Sequence, residues 1–294
     1  MKKKLLIVLG ILSLGLMVTS CKGKNEKTLV VGSKEFTENL LVSEIYALGL
    51  EDQGFQVERK QNISGTVIHK AITNKEIDLY PEYTGTGLLV ILKRPMESDP
   101  DKVYNQVKEG YKKEFNLVWL DQSQANDSQG LVLRTDVAQK LGIRNLSDLQ
   151  KNAGEIRFAS QGTFDHREDG LAGLEKLYGP FNFKERKVYS NDLKYEILEK
   201  NQADLTPAYT SEGALVEKDK FTVLEDDKGF WPPYYMAPVV RGEVLEKYPE
   251  IQEVLNKISN SLDTETMIRL NAQVDLEKKD YKEVARDYYD SLQK

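Results

Sequence analysis

The sequence predicts an α/β protein of two similar lobes facing one cleft, and three observations carry that prediction. A stretch occurs twice: Asp78-Leu79-Tyr80-Pro81-Glu82-Tyr83-Thr84-Gly85-Thr86-Gly87 returns as Asp204-Leu205-Thr206-Pro207-Ala208-Tyr209-Thr210-Ser211-Glu212-Gly213. Strand-like and helical patterns alternate around both copies, the βαβ rhythm of a parallel sheet covered by helices. At 294 residues and 40% hydrophobic content, the chain is long enough for two cores. The copies stand too far apart for a solenoid. Each follows an amphipathic run that reads as a helix (66–75; 193–201), then a short strand (77–79; 203–205), a proline turn, and a Tyr-Thr pair before a new helix. Proline fixes the turn, and Thr, Ser or Gly there caps the next helix and leaves its first N–H groups free. On this reading each lobe points a tyrosine at the cleft. The plainer reading is a recurrent strand-to-helix turn without a ligand role.

Met1-Lys2-Lys3-Lys4 is a positive n-region, residues 5–18 are an apolar h-region short for a bilayer span, and Val18-Thr19-Ser20-Cys21 is a lipobox-like junction holding the sole cysteine. We expect cleavage before Cys21 and lipid on its thiol and new amine; an ordinary signal peptide with a chance cysteine is the alternative. Residues 1–21 are then signal and lipobox, and 22–27 a polar tether for an exported bacterial protein anchored to the cell membrane by lipid alone. Residues 28–33 read as a strand ending in Gly32-Ser33, 39–48 have helical apolar spacing, and 55–60 alternate as a strand. Residues 116–120 and 130–134 are strand-like, Asn145-Leu146-Ser147-Asp148-Leu149 opens a short helix, and 155–159 is a further strand. The chain returns through Phe230-Trp231-Pro232-Pro233-Tyr234 to Val239-Val240-Arg241, and helices follow from Val244. This divides it into a first lobe of 28–126 plus 234–294 and a second of 127–233, with crossings near Asp127 and Pro233 acting as a hinge. In such folds ligands sit beyond the carboxyl ends of strands, where Ser33-Lys34 and Tyr83-Thr84 lie.

The formal charge is -6 and the pI about 5.3. No basic patch with interleaved aromatics points to nucleic acid. His69 and His166 are the only histidines, and neither has a partner at metal-ligand spacing. No nucleophile elbow, phosphate-binding loop or Cys-His pairing is present, so no catalytic residue, metal or cofactor is expected. An enzyme acting on choline-like compounds, with His166 beside Arg167 as its base, is the rival from another class. What the sequence does place in loops is aromatic and anion-binding side chains. Tyr83, Tyr209 and Tyr234 occupy three turns; their faces would attract a weakly hydrated cation such as trimethylammonium. Lys34, Thr86 and Arg167 occupy other turns and would hold a carboxylate, the arginine as a directional fork. If Thr84-Gly85-Thr86 opens a helix, its N–H groups add to that end. Ordinary packing is the other use of lone tyrosines.

Val31-Gly32-Ser33-Lys34-Glu35-Phe36-Thr37-Glu38, Tyr80-Pro81-Glu82-Tyr83-Thr84-Gly85-Thr86, Arg167-Glu168-Asp169-Gly170 with Gly173-Leu174, and Pro232-Pro233-Tyr234 with 237–241 occur in this order. From Thr28 onward the chain thereby resembles the lipid-anchored substrate-binding proteins of osmoprotectant ABC importers, which take glycine betaine, carnitine, choline and related quaternary ammonium compounds. The resemblance implies a two-lobed type II periplasmic-binding-protein fold that closes on its ligand, and an ABC permease as partner. It implies a tyrosine cage matching Tyr83, Tyr209 and Tyr234, a carboxylate clamp matching Lys34, Thr86 and Arg167, and an acidic position beside the cation matching Asp127. Two departures stand out. Gln129 replaces a cage tyrosine, and Asn39 stands where glutamine is usual. The more polar wall at Gln129 would suit a larger betaine, carnitine or ergothioneine, through a contact with the ligand's side group.

Overall fold

The computed structural model describes residues 27–65 and 67–293; the expected signal peptide, Cys21 and residues 22–26 of the tether lie outside them. Its strands are β1 (Thr28–Gly32), β2 (Gln56–Lys60), β3 (Leu79–Tyr83), β4 (Leu117–Trp119), β5 (Gln129–Arg134), β6 (Arg157–Ser160), β7 (Glu185–Val188), β8 (Leu205–Tyr209), β9 (Phe221–Val223) and β10 (Met236–Arg241). The α-helices are α1 (Thr37–Asp52), α2 (Ile68–Thr73), α3 (Thr84–Thr86), α4 (Pro100–Phe115), α5 (Thr135–Leu141), α6 (Leu146–Asn152), α7 (Leu171–Tyr178), α8 (Lys194–Glu199), α9 (Gly242–Lys247), α10 (Ile251–Asn260), α11 (Thr264–Asp275) and α12 (Tyr281–Ser291).

Two five-stranded sheets form, β2-β1-β3-β10-β4 and β7-β6-β8-β5-β9, and their topologies match strand for strand. β1 is parallel to β2 and β3, as β6 is to β7 and β8. β10 runs against β3 and β4, and β5 against β8 and β9. The expected parallel sheets are therefore mixed, because the reversed strand in each is the one that arrives from the other lobe. Side chains alternate across both sheets with period two. Leu79, Met236 and Val240 meet α1 and the C-terminal helices, whereas Tyr80, Ala237 and Val239 meet α2 and α4. In the second sheet Leu131, Leu133 and Phe158 face α6 and α7, and Val132 and Ala159 face α8. Burial on both faces explains why these strands read as continuous apolar runs. The long helices have local causes. Asp99 accepts from the Lys102 N–H at 3.1 Å to start α4, with Pro100 in its first turn, and Asn116 ends it at φ 54°.

The repeat is built identically at three of its positions. Asp78 accepts from the Val30 N–H at 2.7 Å and pairs with Arg241; Asp204 accepts from the Arg157 N–H at 2.9 Å and takes the Arg157 guanidinium. Each carboxylate ties a reversed or neighbouring strand to the sheet's base. Pro81 and Pro207 lie inside β3 and β8, not in a turn. They fit because the pairing of β3 with β1 stops at Leu79 and that of β8 with β6 at Leu205, so no ladder bond needs the missing N–H. Side-chain amides cover the exposed carbonyls instead, Asn39 on Pro81 and Gln161 on Pro207, each at 2.9 Å. Asn39 also accepts from the Lys34 N–H at 2.7 Å, so its substitution for glutamine sits in scaffold.

The repeated threonines do not cap helices. Thr84 donates its N–H to the Tyr235 carbonyl at 2.9 Å, accepts from the Tyr235 N–H at its Oγ1 at 3.1 Å, and donates its hydroxyl to the Pro233 carbonyl at 2.9 Å. Thr210 does the same to the other crossing: its N–H meets Ser128 and its hydroxyl donates to the Asn126 carbonyl at 2.8 Å. The two crossings also pair with each other, through Asp127 N–H to the Tyr234 carbonyl at 3.1 Å and Tyr234 N–H to Asn126 Oδ1 at 2.7 Å. A two-stranded ribbon thus joins the lobes, stapled by one threonine from each. α11 adds a further interlobe contact, with Ile268 packing on the second lobe's core. A Cβ on Gly213 would lie 2.7 Å from the Ala272 nitrogen, so only glycine allows that approach.

Candidate functional site

All eight residues singled out for ligand contact, Lys34, Tyr83, Thr86, Asp127, Gln129, Arg167, Tyr209 and Tyr234, line one cavity of about 470 Å³ between the lobes. They come from the ends of β1, β3 and β8, from the crossing ribbon, and from the loop before α7. His69 and His166 are not among the lining residues. His69 packs edge-on against Phe115 at 4.6 Å, and burial lowers its pKa. Among the described residues no His, Cys, Asp and Glu group has the makings of a metal site.

The three tyrosines differ in environment. Tyr83 is 4% exposed; its hydroxyl donates to Glu38 at 2.9 Å, and the Lys34 ammonium lies 5.1 Å from its ring centre. Tyr209 is 49% exposed, and its hydroxyl makes no hydrogen bond with a described residue. Tyr234 rests on Gly85, where a Cβ would come within 2.7 Å of its ring. Burial, with Asp169 and Tyr209 nearby, pushes the Tyr234 hydroxyl up to about 12. All three rings are neutral at physiological pH and keep their quadrupoles for a cation.

The cationic side chains are already paired. Lys34 Nζ lies 2.5 Å from Glu82 Oε1 with both side chains buried, so its charge is matched by Glu82 while it sits over the Tyr83 ring. Thr86 makes no side-chain hydrogen bond among the described residues. Arg167 donates Nε to Asp169 Oδ1 at 2.7 Å and Nη2 to Oδ2, and remains about half exposed. Gln129 does not stand free in the cavity: its Nε2 donates to Asp169 Oδ2 at 2.8 Å. Burial raises the Asp169 pKa, but the Arg167 and Gln129 hydrogen bonds outweigh it and hold that carboxyl below its usual range.

Two carboxylates have no such compensation. Glu38 and Asp127 make no ion pair with a described residue, and burial pushes both pKa values up, that of Asp127 further through its neighbour Glu38. Ser211 donates to Asp127 at 2.6 Å, and Asn271 Nδ2 donates to Glu38 at 3.1 Å and to the Ser211 carbonyl at 2.9 Å. This seam joins α1, α11, the crossing ribbon and the second repeat. Sequence reasoning missed Glu38, Ser211 and Asn271. Glu38 lies in a motif that was legible, but an acidic residue in a first helical turn is ordinary. Ser211 sits inside the repeat at a position where the copies differ, and Asn271 carries no local signal.

The cavity is thus lined by three tyrosine rings and by Glu38 and Asp127, together with the Arg167 guanidinium and the Thr86 hydroxyl. Known proteins share this framework. Residues 27–291 match the family described as the substrate binding domain of the ABC-type glycine betaine transport system. The chain is 36% identical over 269 residues to the ergothioneine transport permease/ergothioneine binding protein of Helicobacter pylori, covering 91% of this chain but only 48% of that protein's length. It is 30% identical over 299 residues to the carnitine transport binding protein of Listeria monocytogenes, covering 98% of this chain and 96% of that one. Among solved structures, a glycine betaine/carnitine/choline ABC transporter superposes with a TM-score of 0.84 at 27% identity, over 90% of this chain and 98% of that chain. The two α/β lobes, their cleft and the extent of these matches make this chain a member of the family of substrate-binding domains of ABC-type glycine betaine transport systems, a family of binding proteins and not of enzymes.

Proposed function

We propose that this protein is the extracytoplasmic binding component of an ABC importer, lipid-anchored through Cys21, and that it delivers a quaternary ammonium compound to a membrane permease. The observation that carries this reading is the uncompensated acidity of an aromatic cavity. Lys34 and Arg167 are matched by Glu82 and Asp169, whereas Asp127 and Glu38 face the tyrosines without a cation. A trimethylammonium group fits such a place: Tyr209, Tyr234 and Tyr83 offer faces, and the carboxylates offset charge that those rings attract. Arg167 and Thr86 then receive the ligand's carboxylate, with Lys34 behind them. Lobe closure about the ribbon 126–128 and 233–235 would desolvate both ends.

Within this class we propose a betaine with a side group over the smallest members. The relatives named for ergothioneine and carnitine support that choice. The test is calorimetric titration with glycine betaine, carnitine, choline and ergothioneine. Saturable binding of one, weakened by Tyr209→Ala, is expected. Absence of binding by all four would overturn the ligand class.

A further inference from the structure

Gln129 occupies the position where a cage tyrosine was expected, and the structure gives it a different task. It starts β5, one residue beyond the ribbon, directly opposite Tyr209 in the sheet register. Its amide donates to Asp169 Oδ2 at 2.8 Å. An ionised carboxylate only accepts, so its partner must be the amide nitrogen. The same carboxylate holds Arg167 in a two-point fork through Nε and Nη2. The Asp169 backbone is fixed as well, its carbonyl accepting from Trp231 Nε1 at 2.9 Å. Arg167 Nη1 makes no hydrogen bond with a described residue, and Arg167 lines the cavity.

The geometry therefore sets a chain of orientation. A strand-borne amide fixes the plane of the Asp169 carboxylate, and a bidentate fork is rigid only when the carboxylate plane is fixed. The remaining guanidinium edge is then held in one direction before any ligand arrives, which removes ordering cost from binding. We propose, resting on the reading above, that Gln129 is a positioning residue for Arg167. Exchanging an aromatic wall for this amide moves selectivity from the ligand's cation to its carboxylate, so the preferred class is a carboxylated quaternary ammonium compound over a choline-type alcohol.

A double-mutant cycle tests this on the chain from residue 22, which contains every described residue. Wild type, Q129L, R167A and the double variant are titrated with glycine betaine, carnitine, ergothioneine and choline. In the wild type the tightest ligand is expected to be a carboxylated one, at least about tenfold tighter than choline. Q129L is expected to weaken that ligand about tenfold with Arg167 present and less than about twofold in the R167A background. Q129E, which sets a second carboxylate against Asp169, should lose at least as much as Q129L. Equal losses from Q129L in both backgrounds would mean that Gln129 touches the ligand itself, and the proposal would fall. No loss with Arg167 present, or choline as the tightest ligand, would overturn it too. Saturable binding of none of the four by wild type would instead sink the underlying reading, and the proposal with it.

Discussion

In the first lobe the repeated tyrosine, Tyr83, is buried, its hydroxyl on Glu38 and its ring under the Lys34 ammonium. In the second lobe Tyr209 stands half exposed with its hydroxyl unengaged among the described residues. Both leave strands of matching register, and in both the tyrosine N–H meets a glutamate that also binds a lysine and a second tyrosine. In the first lobe these are Glu82, Lys34 and Tyr80, in the second Glu212, Lys194 and Tyr195. The comparison separates two kinds of information. Positions at which the copies agree, Asp, Pro and Thr, hold the sheet and the crossing ribbon, whereas the shared tyrosine meets different surroundings in each lobe.

The largest expected difference between the lobes follows directly. Tyr83→Ala removes a buried ring and should cost about 3–5 kcal/mol of stability. Tyr209→Ala should change stability by less than about 0.5 kcal/mol and instead cost roughly 1–2 kcal/mol of ligand affinity. Denaturant unfolding beside calorimetry distinguishes the two, and similar stability losses would break the comparison. Next in size, Asp78→Ala and Asp204→Ala should behave alike, each costing about 2–3 kcal/mol by orphaning a strand N–H and an arginine. A neutral result at either position would show that the shared aspartate is not scaffold in that lobe.

Two carboxylates should respond oppositely to pH. Asp127 has a raised pKa, so the folded state holds its proton more tightly than the unfolded chain, and its contribution to stability declines as pH climbs above its ordinary value of 3.8. Asp127→Asn should therefore raise the melting temperature at neutral pH while weakening binding of a quaternary ammonium. Asp169 has a lowered pKa, so its contribution is present above 3.8 and is lost as pH falls through the lowered value. Asp169→Asn should accordingly lower the melting temperature at neutral pH. Melting curves from about pH 2 to 8 read both signs, and parallel curves would refute the contrast. The smallest effects belong to the ribbon staples: Thr84→Val and Thr210→Val should each cost about 1 kcal/mol, which matched chemical denaturation would resolve.

Much of this was legible in the chain. The α/β class and the pairing of two similar sheets follow from hydrophobic period, turn residues and the repeat. The errors also had local form. Pro81 and Pro207 read as turns because proline usually breaks a sheet; whether a neighbouring strand has ended beside it is a property of the sheet, not of the residue. Thr84 and Thr210 read as caps because a cap is the commonest use of threonine before a helix, whereas their partners, Pro233, Tyr235, Asn126 and Ser128, arrive from distant segments. Gln129 was legible as a departure from a cage, yet its hydrogen bond to Asp169 was not.

By itself the sequence determined the elements and the two-lobed plan, because period, proline and glycine act within a few residues of where they stand. It also singled out eight side chains that line one cavity, although it read Tyr83 and Tyr209 as turn residues and the structure makes them the last residues of β3 and β8. Only the tertiary structure decided which charges there are matched, because pairing and burial depend on which elements meet. That meeting set Glu82 on Lys34 and Asp169 on Arg167, and left Asp127 and Glu38 facing the rings without an ion pair among the described residues.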